Sequence, residues 1–154
     1  MAKSAFDFTD VFQDIENKID NFMKAEITRD IAAEMVASAS DELVYDKYNP
    51  SQYERRYSAG GIRDARNYEV ESTGRMELMV SNNTPGNPQY ATDDGNGWDS
   101  GFINDIIENG TGYHWRHSRI YRSQPYPRPF MEKGVDKFVD DYLLPSIHDT
   151  FFND

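Results

Sequence analysis

The 154-residue sequence predicts an α+β domain. Three observations carry that expectation. A long helical pattern opens the chain, short strand-like apolar segments occupy its middle, and a second helical pattern bounded by prolines lies near its end. The expected architecture is a mainly antiparallel sheet of about four strands, packed by a long N-terminal helix and a shorter C-terminal one. No internal repeat or linker divides the sequence, so residues 1–154 read as a single domain.

The first helix is expected over about residues 8–42. Phe8, Phe12, Ile15, Ile19, Phe22, Ile27, Ile31 and Met35 recur mostly three or four apart, with Asp14, Lys18 and Lys24 on the other face. Thr9 or Asp10 suits its cap, and neither Gly nor Pro precedes Pro50. A helix of about 30 residues is roughly 45 Å long, more than the usual width of such a domain. Part of it is therefore expected to project toward a neighbour.

Strands and loops are expected from about 43 to 124. Asn49–Pro50 and Gly60–Gly61 mark turns, and "NYEVES" and "MELMVS" alternate as strands. A three-residue loop, Thr73–Gly74–Arg75, would oppose Val70 to Leu78 and Tyr68 to Val80, keeping one apolar face. Residues 81–101, "SNNTPGNPQYATDDGNGWDSG", form a long acidic loop. "GFINDIIEN" and "HSRIYRS" are the candidates for two further strands. The C-terminal helix is expected over about 129–144. Pro129 lies in its first turn, and Met131, Val135, Phe138, Val139, Tyr142 and Leu143 form its stripe. Gly134 weakens it, Pro145 ends or kinks it, and "SIHDTFFND" reads as a short tail.

Composition narrows the function. The formal charge of −11 argues against a generic nucleic-acid binder, which needs clustered cations. The arginines are nonetheless grouped: Arg55, Arg56, Arg63 and Arg66, then Arg116, Arg119, Arg122 and Arg128. Such asymmetry suits an assembly in which a positive patch meets a negative one. The absence of cysteine excludes disulfides, zinc–thiolate sites and thiol catalysis. No apolar run approaches membrane-spanning length, and "MAKSAFDFTD" lacks the apolar core of a signal peptide.

Glu108, His114 and His117 are the sharpest metal or acid–base candidates. Histidines three apart point to opposite faces of a strand, so they converge only on a turn or helix. "DDGNGWD" has carboxylates near glycines but not the spacing of a calcium loop. Hydrolase, phosphate-loop and dinucleotide fingerprints are absent. No metal, cofactor or catalysis is expected. Trp115 and Tyr121 interleave with Arg116, Arg119, Arg122 and Arg128, a composition shared by protein–protein hot spots and single-strand binders. The net acidity favours a protein partner.

The segments "GGIRDARNYEVES", "IIENGTGY" and "PYPRPFMEKGVDKF", in that order behind a long helix, resemble the tail-completion family of long-tailed double-stranded DNA phages, which includes head–tail joining and minor tail-component proteins. The resemblance spans roughly residues 8 to 145. It implies a non-catalytic virion protein at the neck or tail end, present in the host cytoplasm during assembly. It also implies a homo-oligomeric ring, with a hexamer expected, between head-connector and tail-tube proteins. In that setting Glu108 to Gly112 reads as a strand ending in a tight turn, and Arg128-Pro129-Phe130 as a helix start anchored by its phenyl ring. DNA would pass through without specific binding, and Asp93, Asp94 and Asp99 are the candidate channel-facing residues.

Overall fold

The computed structural model describes residues 8–47, 59–84, 107–110 and 126–152. Two consecutive helices open the chain, α1 (Phe8–Lys24) and α2 (Glu26–Ser40), and a π-helical turn, Asp41–Tyr45, prolongs the second. A short 3-10 turn, Ala65–Asn67, leads into β1 (Tyr68–Gly74) and β2 (Glu77–Asn82). The C-terminal part contains α3 (Phe130–Phe138), a π-helical turn (Val139–Leu143) and α4 (Leu144–Phe152). The protein is α+β, with a two-stranded antiparallel sheet among the described residues. The expectation of about four strands is not met there. The segment "GFINDIIEN" ends in helix at 107–109, and "HSRIYRS" lies outside the described residues.

The single helix expected over 8–42 is broken at Ala25, whose backbone is extended at φ −60° and ψ 139°. Neither Gly nor Pro signals the break, and its cause is tertiary. Small residues of α2 face the core: Ala32, Val36 and Ala37 are fully buried, whereas Ile27 is 66% exposed. This narrow face lets α3 approach closely. A Cβ added at Gly134 of α3 would lie 2.6 Å from Val36 Cα, so the glycine that weakens the isolated helix is what permits the crossing. The bend then frees α1 to diverge from α2 and reach the hairpin.

The hairpin has a different register from the expected one. Val70 opposes Val80 and Ser72 opposes Leu78, a slip of two residues that keeps the apolar face. An irregularity between Ser72 and Gly74 takes up Thr73, and the chain reverses at Arg75–Met76, with Met76 at φ 54°. A β bulge with a methionine in the left-handed region is not favoured locally. Contacts from α1 stabilise it. Asp20 Oδ1 accepts the Met76 N–H at 2.9 Å, and Arg75 donates to Asn17 Oδ1 at 3.1 Å. Arg75 also pairs with Glu16 at 2.9 Å.

The core lies between α2, α3 and the inner face of the hairpin, where Tyr68 and Val70 are buried. Phe22, Tyr142 and Phe138 stack in sequence, with ring centroids 6.2 and 5.7 Å apart. Pro145 neither ends nor isolates the C-terminal helix. It falls within a helical run that is continuous from Phe130 to Phe152, directly after the π-helical turn, whose wider ladder lies where an N–H is missing. The supposed tail is therefore helical through Phe152.

Candidate functional site

The sequence places Glu108 near possible chemistry, and the structure gives it a structural role. α3 begins after Pro129, which serves as its N-cap and offers no side-chain acceptor. The first amides of a helix need partners when they are removed from water. Glu108 supplies them from elsewhere in the chain: its Oε2 accepts the Met131 N–H at 3.0 Å and its Oε1 accepts the Glu132 N–H at 3.2 Å. A carboxylate at this end of a helix also opposes the positive end of the helix dipole.

Two backbone features hold the carboxylate in place. Arg128 N–H donates to the Ile107 carbonyl at 3.0 Å, tying the two segments together. Gly110, at φ 64°, ends the helical turn at 107–109 in the left-handed conformation. A Cβ there would stand 2.5 Å from Pro127 N, so only glycine permits this approach. The tight turn expected at Gly110 is present, but it closes a helix rather than a strand. Phe130 is fully buried and Ile107 is 5% exposed, so the clasp is anchored on both sides.

A second carboxylate was missed in the sequence. Asp64 is buried, and its Oδ2 accepts the Gly60 N–H at 2.7 Å while its Oδ1 accepts the Arg66 N–H at 3.1 Å. The Arg66 guanidinium grips both oxygens, at 2.8 and 2.7 Å. That guanidinium, aided by the amides and opposed by burial, holds the Asp64 carboxyl well below the usual carboxylate range. The visible signal was "GGIRDAR": an aspartate shortly after a glycine pair, free to accept the N–H two residues on as in an Asx turn.

Arg63 and Arg66, read in the sequence as part of a positive patch, are engaged within the fold. Arg63 donates to Asp41 Oδ2 at 2.8 Å and to Glu34 Oε1 at 2.7 Å, fastening the segment before β1 to α2 and its π-helical extension. Next to it, burial pushes the Tyr68 hydroxyl up, and that hydroxyl donates to the Ile62 carbonyl at 2.8 Å. A cleft of about 230 Å³ between α2 and β1 is lined by Glu26, Arg29, Asp30, Ala33, Tyr68 and Val70. Its one cation sits between two carboxylates, which gives it no net pull on an anion.

Of the other candidates, Arg128 is half-buried beside the clasp. His114, Trp115, Arg116, His117, Arg119, Tyr121 and Arg122 lie outside the described residues, as do Asp93, Asp94 and Asp99. Among the described residues, no helix is long and apolar enough to cross a membrane.

The three segments that carried the resemblance thus include one folding unit, a glutamate clasp closed on an Arg-Pro-Phe helix start. A family model named YomN matches residues 7–151, from the start of α1 to the last turn of α4. The chain belongs to the YomN family. YomN is a phage-associated family, and its member here is a phage-related protein. The match is to YomN and not to the tail-completion family by name. No curated protein and no solved structure matches this YomN-family chain.

Proposed function

We propose that this YomN-family chain is a non-catalytic structural protein of a phage virion, forming a ring that completes the tail or joins it to the head. The observation that carries the reading is the engagement of Glu108. Both its oxygens accept backbone N–H groups at the start of α3. A carboxylate so held serves a helix end: each of its oxygens accepts one of the first amides of α3. The phage-associated family and the order of the three segments support the same reading.

The charge of −11 per chain suits a ring through which duplex DNA moves without being held. Native mass measurement of the purified protein, and of protein released from particles, tests the reading. A closed homo-oligomer, with a hexamer expected, supports it. A titration of labelled DNA adds a second arm. Binding in the micromolar range at about 0.15 M salt, lost on replacing Arg116, Arg119, Arg122 and Arg128, would instead favour a nucleic-acid-binding protein. Zinc-dependent stabilisation by several degrees at stoichiometric metal would favour the metal-site alternative on His114 and His117.

A further inference from the structure

Along α1 the apolar stripe is only partly used by the fold. Ile19 and Phe22 pack against the core, whereas Val11 and Phe12, two turns nearer the start, are 41% and 62% exposed. Asp10 and Asp14 run along the Val11 side of this strip, and both are exposed. Asp14 pairs with Lys18 at 2.9 Å, but this is an exposed pair within one helix and is readily exchanged. The turns that follow this face are tied to the hairpin. Glu16, Asn17 and Asp20 fix the next turns of α1 to the hairpin tip through Arg75 and Met76.

An apolar strip rimmed by carboxylates selects a cationic, aromatic occupant. Pairing two copies of this face with each other would bring Asp10 and Asp14 toward their counterparts, which like-charge repulsion disfavours. Of the two aromatic–arginine stretches in the sequence, the one with Trp115, Arg116, Arg119, Tyr121 and Arg122 carries three arginines and no carboxylate, whereas Tyr53 to Tyr57 carries two arginines and Glu54. We infer that the Val11–Phe12 face of α1 seats residues 115–122 of a second copy of this chain. The inference rests on the ring-forming reading above. One surface of each copy engages a different surface of the next, the type of contact that generates rings.

Charge exchange tests it. Two variants are made, Asp10→Lys/Asp14→Lys and Arg116→Glu/Arg119→Glu/Arg122→Glu, with circular dichroism to verify folding. Each alone is expected to lose the assembled species in native mass spectra and sedimentation. An equimolar mixture is expected to regain it, since each variant then finds an opposite charge on the other. If either set does not fold, Asp→Asn and Arg→Gln replacements at the same positions read the same contact as weakened association. Assembly by either charge-reversed variant at wild-type concentration overturns the inference. So does a mixture that fails while the five substitutions combined in one chain restore assembly, because the contact would then lie within one copy. Wild-type rings with unaffected variants leave the ring reading standing and remove only this interface. Association through this contact into open chains or dimers removes the ring and keeps the interface. A wild-type protein that stays monomeric removes both.

Discussion

Gly134 and Val36 meet with no room for a side chain between their helices: a methyl group on Gly134 would stand 2.6 Å from Val36 Cα and 3.1 Å from its Cβ. Two effects of Gly134→Ala oppose each other. Helix propensity favours alanine by roughly 1 kcal/mol. Overpacking against a backbone atom costs about 1–3 kcal/mol, because a backbone cannot swing aside as a side-chain tip does. A net loss of about 1 kcal/mol is expected in urea unfolding. A variant more stable than wild type would show that α2 and α3 stand further apart.

The clasp predicts a graded series. Glu108→Ala removes both acceptors from the start of α3 and is expected to lose about 0.5–2 kcal/mol, the range for losing a helix cap. Glu108→Gln keeps one acceptor and should lose less. Equal stability of all three proteins in denaturant melts would remove Glu108 from this role.

Phe130 is the largest fully buried side chain described. Its replacement by alanine should cost about 3–5 kcal/mol, through lost burial and the cavity left behind. Leu78 is only partly buried, so Leu78→Ala should cost distinctly less. Calorimetry of the two variants orders them, and a reversed order would contradict the packing of α3.

The hairpin register is open to direct chemistry because the chain has no cysteine of its own. Ser72→Cys/Leu78→Cys places two thiols at directly opposed positions. It should oxidise to an intramolecular disulfide readily, whereas Val70→Cys/Leu78→Cys should not. Faster closure of the second pair, followed by mass shift, would restore the register expected from the sequence.

Asp64 predicts an acid limb in stability. Its carboxyl titrates below the ordinary range in the folded protein. It therefore contributes stability that is present above the unfolded value of about 4 and is lost as pH falls toward the folded one. Asp64→Asn should be less stable than wild type at neutral pH, and the difference should shrink as the pH is lowered below about 4. A difference that stays constant across that span would show that the Arg66 contact is not charge-dependent.

Much of this architecture was legible, and the failures share a cause. The period of the apolar residues located α1, α2 and α3, and alternation located both strands. Gly110 and Pro129 correctly marked reversal and helix start. What escaped was decided by partners distant in sequence. The break at Ala25 precedes the small-residue face that α2 packs against Gly134. The slipped hairpin register places the Met76 N–H on Asp20 of α1. Periodicity records which face is apolar, not what will lie against it. Glu108 shows the same limit at the candidate site: nothing in its local sequence announces that its oxygens accept the first amides of α3.

The pairing of α2 with α3 also has a consequence for biosynthesis. Val36 is translated well before Gly134, so the central contact joins segments far apart in sequence. Bringing such distant segments together carries a loop-closure cost that local helix formation cannot offset. A nascent chain that has released α1, α2 and the hairpin still lacks the helix that covers Ala32, Val36 and Ala37. The core therefore closes only after α3 has been released. Until then, the apolar faces of α1 and α2 are left uncovered together, and folding helpers and premature contacts between neighbouring nascent chains compete for them.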